Sequence, residues 1–238
     1  MSRLTFSQRL GTSIRYPLLF LGLMWAIMAF QVLFHIDLGH FGIYPRTTWG
    51  LIGILFAPLL HGGWAHLISN SVPFLFLSII VLFFYRKIAL PAFTLIYLLT
   101  GLCVWLFGRP VFHIGASGVI YGLVAFVFWN GVFRRNLKSI ALAMIVMFYY
   151  GSMFLGILPG QDGISWESHL LGGVVGILVS FLFKNQLESD ERPEIRQLEE
   201  TSEPTFFLNR DAFDKTRQER QREKESQDPL SGWFSNRS

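Results

Sequence analysis

Gly115-Ala116-Ser117-Gly118-Val119-Ile120-Tyr121-Gly122, continued by Leu123-Val124-Ala125-Phe126-Val127-Phe128-Trp129, sets a glycine-flanked serine at the start of an apolar run that reaches Phe133. A helix needs about 20 mostly apolar residues to cross the hydrocarbon core of a bilayer, so Val111 to Phe133 reads as a membrane span. Serines and glycines are ordinary in membrane helices, so the motif gains weight only with polar partners at its own depth. Polar groups at membrane depth are costly and by default mark function, which makes Ser117 the first candidate.

Working outward, five more stretches meet the same requirement, near Tyr16 to Phe34, Trp64 to Tyr85, Ile88 to Phe107, Ile140 to Leu158 and Ile164 to Phe183. The expected fold class is an all-α polytopic membrane protein, a bundle of six transmembrane helices. Composition agrees, because 52% of the 238 residues are apolar and 15% charged, with the apolar residues in long blocks rather than in the alternating patches of a soluble fold. The first span follows Arg3, Arg9 and Arg15, as a signal peptide would. Its run is too long for one, no small-residue cleavage pattern follows, and it reads as a retained helix.

Charge divides the chain in two. Residues 1–183 carry ten Lys/Arg and three acidic residues, whereas 184–238 carry ten and thirteen. The expected organisation is a membrane domain over 1–184 and a charged, flexible cytoplasmic tail over 185–238, densest in charge from Asp211 to Glu225. The basic residues of the first part sit singly or in pairs between apolar runs and form no polar face, so nucleic acid is not an expected partner. With the amino terminus inside, the inner loops hold Arg3, Arg9, Arg15, Arg86, Lys87, Arg134, Arg135 and Lys138, and the outer loops only Arg46 and Arg109. That asymmetry predicts both termini cytoplasmic, and the expected location is a bacterial cell membrane. The first outer loop, His35 to Gly63, is rich in Trp, Ile, Leu and Phe and is expected to lie in the membrane interface. The single cysteine, Cys103, allows no intrachain disulfide. No internal repeat suggests a transporter of two related halves.

Four polar residues stand near the start of spans two, four and six: His66, Asn70, Ser117 and His169. Those spans run from outside to inside, so at about 1.5 Å rise per residue all four fall within roughly 10 Å of the outer end and share one depth. His66 and Asn70, four apart, occupy one helical face. Gly115 and Gly118 let backbone approach Ser117 and leave a helix amino terminus free to stabilise an anion. Gly172 and Gly176 follow His169 at three and seven residues on its own side, and Gly118 with Gly122 offers a matching surface for close helix contact. A serine on one helix and a histidine on a closely packed neighbour make a nucleophile and its general base. Asp37 and Asp162 are in loops and Glu167 points to another side of its helix, so the expected unit is a Ser-His dyad, with Tyr121 fixing the imidazole by stacking. His61 and His66 with His169 lack a carboxylate or cysteine at ligand spacing, and neither a metal nor a cofactor is expected. The rival readings are a non-catalytic protein that binds transmembrane clients, and a proton-coupled transporter in which His169 serves a relay.

Taken together, His61-Gly-Gly-Trp-Ala-His66-Leu-Ile-Ser-Asn70, Gly115-Ala-Ser117-Gly118-Val-Ile-Tyr121-Gly122 and His169-Leu-Leu-Gly172-Gly-Val-Val-Gly176 resemble the rhomboid intramembrane serine proteases over spans two to six. The resemblance implies a rhomboid-type bundle, Ser117 as nucleophile, His169 as base, and His66 and Asn70 in the oxyanion site. It also implies transmembrane protein substrates, cleaved near the outer interface at small or helix-destabilising residues. Two departures are visible: Ser168 stands where the family often has alanine, and the first loop has Arg46 and a separate Trp49 instead of a Trp-Arg pair. The segment from Pro159 to Ser165, with Gly160 and Gly163, is short enough to act as a lid.

Overall fold

A computed structural model describes residues 5–159, 165–188 and 214–227. Six of its helices are long and apolar enough to cross a membrane. They are α1 (Phe6–Phe34), α3 (Trp64–Phe84), α4 (Ala89–Phe107), α5 (Ser117–Arg134), α6 (Leu137–Tyr150, continued as a 3-10 helix over Gly151–Ile157) and α7 (Trp166–Phe183). A short helix, α2 (Gly53–Phe56), lies in the first loop. The chain forms two compact units, Met1–Arg192 and Pro193–Ser238.

Several expected boundaries move, each for a local reason. Helix α1 starts ten residues early because Thr5 and Gln8 close a capping box at its amino terminus. The fourth span loses its first six residues. Residues 111–116 are held outside the helix by a two-bond bridge between Ile43 and His113, at 3.0 and 2.9 Å, and by the Gly115 N–H donating to Ala57 O at 2.8 Å. Gly115 has φ +106°, which a side chain tolerates poorly, so the turn that launches α5 depends on glycine there. The fifth span is not one α-helix, since after Tyr150 it tightens into the 3-10 stretch that runs to Ile157. Of the expected lid, residues 160–164 lie outside the described part of the chain.

The first outer loop is built of short turns, Gly39–Phe41, Trp49–Leu51, α2 and Ala57–Leu59. It exposes Phe41, Trp49, Leu51, Leu55 and Phe56, the apolar surface an interfacial element presents. Arg46, at φ +59°, donates through Nη1 to Leu106 O and Gly108 O at 3.3 and 2.9 Å and so ties this loop to the end of α4.

Lipid tails are as apolar as leucine, so helices in a bilayer associate through close packing and polar contacts. Both operate here. Met24, Leu67, Phe74, Leu77, Ile96, Leu123 and Phe126 are fully buried between helices, and Phe20 stacks on Phe74 at 4.9 Å. Trp25 Nε1 donates to Ser71 Oγ at 3.0 Å, joining α1 to α3. The most extensive helix contact joins α5 and α7. Its seam is glycine on both sides: a Cβ at Gly172 would overlap Gly118 O, and one at Gly176 would overlap Gly122 O.

At the other end of the bundle the chain leaving α7 stays attached. Lys87 N–H donates to Glu188 Oε1 at 2.7 Å, Lys87 Nζ to Leu187 O at 2.8 Å and Arg134 Nη2 to Gln186 O at 3.1 Å. In the second unit, α8 (Arg217–Gln227) lies inside the segment expected to be flexible. Its start is capped, with Thr216 N–H donating to Glu219 Oε2 at 2.7 Å, and Lys215 pairs with Glu223 at 2.7 Å.

Candidate active site

The glycine seam brings the amino-terminal turns of α5 and α7 side by side, and α3 completes the wall. Between them opens a cavity of about 820 Å³ whose lining includes His66, Asn70, Ser117, Tyr121, Met153 and His169. All four polar residues singled out from spans two, four and six therefore face one space. Ser117 is the first residue of α5, where the free backbone N–H groups of the helix start point outward. Gly115 matters here a second time, because a Cβ on it would stand 2.5 Å from the His66 ring.

The imidazole of His169 is fixed from two sides. Tyr121 stacks on it, with ring centres 4.1 Å apart and planes 8° from parallel. Tyr121 is itself anchored by donating its hydroxyl to Met153 O at 2.5 Å. From the other side, Nδ1 lies 2.8 Å from Gly156 O. A carbonyl can only accept, so the proton resides on Nδ1 and Nε2 keeps its lone pair, the form a general base needs. The sequence reading missed Gly156. Its carbonyl reaches the imidazole because the 3-10 stretch turns the carbonyls of residues 153 and 156 toward Tyr121 of α5 and His169 of α7. Glu167, as its helical position implied, turns away from His169 and pairs with Arg109.

Asn70 is 5% exposed and donates through Nδ2 to His66 O at 3.0 Å, one turn back. An amide nitrogen carries two hydrogens, so this bond orients the group and leaves one donor free. Ser117 and His169 share the cavity, and His169 Nδ1 is engaged with Gly156 rather than with the serine.

His61, just before α3, is 3% exposed and packs edge to face against His66 at 5.0 Å. Among the described residues neither of its ring nitrogens has a hydrogen-bond partner. Burial, and then the neighbouring His66 ring, push its pKa down to about 4. The unfolded chain, titrating near 6.5, binds the proton more readily, so stability held above pH 6.5 is lost as pH falls toward 4. The loss amounts to about 3 kcal/mol in that window. Thermal unfolding midpoints in detergent should fall between pH 6.5 and 4.5, and His61→Gln should flatten that decline. Parallel pH profiles for the two proteins would contradict it.

The family model of the Rhomboid domain matches residues 46–186. An uncharacterized protein of Mycobacterium tuberculosis is 38% identical over 181 residues, covering 72% of this chain and 74% of its own. One from Mycobacterium leprae is 33% identical over 174 residues, 69% of each chain. RHOMBOID-like protein 4 of Arabidopsis thaliana is 31% identical over 133 residues, 52% of this chain and 32% of the plant protein. With the domain covering the glycine seam and the cavity at its head, the chain is a multi-pass membrane protein that belongs to the rhomboid family of intramembrane serine proteases.

Proposed function

We propose that this protein hydrolyses peptide bonds of transmembrane protein substrates with a Ser117–His169 dyad. The observation that carries the reading is the fixed His169 ring, stacked on Tyr121 and protonated toward Gly156, in the same cavity that Ser117 lines. His169 takes the Ser117 proton as Oγ attacks the scissile carbonyl, then delivers it to the leaving amine. The tetrahedral oxyanion is held by N–H groups at the start of α5 together with Asn70 and His66. Water repeats the sequence on the acyl-enzyme. The substrate enters as an unwound strand, since helical carbonyls are shielded by the backbone. The excess of Lys/Arg in alternate loops supports an orientation with the amino terminus cytoplasmic and this cavity near the outer interface, and the similarity to mycobacterial proteins supports a bacterial cell membrane. The charged segment after the membrane domain contributes no candidate catalytic group.

A fluorophosphonate probe should attach to Ser117 of the purified protein, as mapped by mass spectrometry. An adduct elsewhere, or none, would remove the serine from the mechanism. The oxyanion roles are tested separately against a proton relay through His66. Losing one donor costs about 2.7–4 kcal/mol, or roughly 100- to 1000-fold in rate. Asn70→Ala should therefore slow turnover strongly without abolishing it, and His66→Gln, which keeps an N–H, should be milder than His66→Ala. Full turnover in Asn70→Ala with none in His66→Gln would favour the relay.

A further inference from the structure

The two chain segments that lead into α5 and α7 are also joined by polar contacts at the head of the glycine seam. Arg109, eight residues before Ser117, reaches Glu167, two residues before His169: Nε donates to Oε1 and Nη2 to Oε2 at 3.2 Å. Glu167 is 5% exposed, whereas the Arg109 side chain is 55% exposed and lines the mouth of the cavity. A second line of contacts runs beside this fork. His113 is buried and its Nε2 lies 3.0 Å from Arg109 O, so that nitrogen carries the proton. Its Nδ1 then accepts from Ser165 Oγ at 2.6 Å, and Ser165 Oγ accepts from Ser168 Oγ at 2.6 Å. Burial pushes the His113 pKa down, which favours the neutral ring this chain of donors requires.

An exposed ion pair is worth little. This one differs in having a buried carboxylate, a two-point fork and a place between the two turns that carry the dyad. The seam below it brings α5 and α7 close, but glycines have no side chains to interdigitate, so proximity alone leaves sliding along the helix axis open. We infer that Arg109 and Glu167 are positioning residues that set the register of the His169 turn against the Ser117 turn, an inference that rests on the dyad proposed above. The fork fixes two atoms of the loop before α5 to two atoms of the first turn of α7, the directional constraint the seam lacks.

The decisive protein is the full chain carrying Arg109→Gln together with Glu167→Gln, which removes the fork and leaves no buried charge without a partner. Its Ser117 labelling rate by a fluorophosphonate, and its kcat on a transmembrane substrate, should fall about 10- to 100-fold, the scale of a displacement of about 1 Å in a catalytic group. KM should stay within about twofold, since the fork does not hold substrate. Rates are read per folded molecule from the monodisperse fraction, so any loss of stability does not enter them. Each single glutamine variant should already show most of the double variant's loss, because the pair acts as a unit. Arg109→Lys, a point charge without the fork, should restore only part of the rate. Wild-type labelling in the double variant, or single losses that multiply, would overturn the positioning role. Absence of labelling at Ser117 in the wild-type protein would instead overturn the nucleophile assignment.

Discussion

Ser117→Ala is expected to lower turnover of a transmembrane substrate by on the order of a million-fold, leaving only what binding and the oxyanion donors supply. The size of the effect follows from the division of labour in the cavity. The Tyr121 hydroxyl beside His169 is committed to Met153 O and Ser165 is engaged with His113 and Ser168, and the stacked, carbonyl-tethered ring is not free to swing toward another hydroxyl. The fold should not notice the change. Ala116, not Ser117, occupies the capping position of α5 and makes no side-chain cap, so the lost hydroxyl carries no structural bond of the helix start. A surface-type substitution of this kind stays within about 0.5 kcal/mol. The measurement is cleavage of a transmembrane substrate in detergent beside a thermal unfolding curve. Retained turnover in the folded variant would exclude Ser117 as nucleophile.

Gly172→Ala should also be damaging, though less so, for a reason that is entirely steric. The added methyl would overlap Gly118 O, a backbone atom that cannot rotate away, so α7 must move from α5. Overpacking of this kind costs about 1–3 kcal/mol in stability. The catalytic loss should be larger than that suggests, because displacing one dyad helix by about 1 Å can cost about 100-fold in rate. The adjacent glycine is the control. A Cβ at Gly173 meets nothing within 4 Å, so Gly173→Ala should leave both melting temperature and turnover close to wild type. Equal behaviour of the two variants would show that the seam does not set the dyad.

The spans, the glycine seam and the residues that share the cavity were legible because each rests on a short-range signal: an apolar run, a spacing of four along one helix, a serine or histidine where lipid would exclude it. Ser117, His169, His66, Asn70 and Tyr121 line one cavity for that reason. What sequence could not expose were contacts made by backbone or by distant partners. The shift of the α5 start from Val111 to Ser117 depends on the bridge between Ile43 and His113, seventy residues apart. Gly156 donates nothing a side-chain pattern can reveal, and the Arg109–Glu167 fork links a loop to the first turn of α7, which no periodicity relates. The one hint for Glu167 was negative: it stood two residues from His169, on the wrong side to serve it.

The partner of His169 Nδ1 being a main-chain oxygen has a consequence for any genetic survey of this protein. A carboxylate in that place would announce itself, since replacing it deletes the acceptor. A carbonyl survives every amino-acid exchange, so the group that holds the imidazole tautomer is invisible to substitution scanning. What a scan would register at residue 156 is bulk, because a Cβ there would overlap the Tyr121 hydroxyl and stand 3.2 Å from Nδ1 itself. The site would be scored as intolerant of size, and its chemical contribution would surface only under backbone chemistry, such as an ester in place of the peptide bond that follows Gly156, which weakens that carbonyl as an acceptor without adding a single side-chain atom.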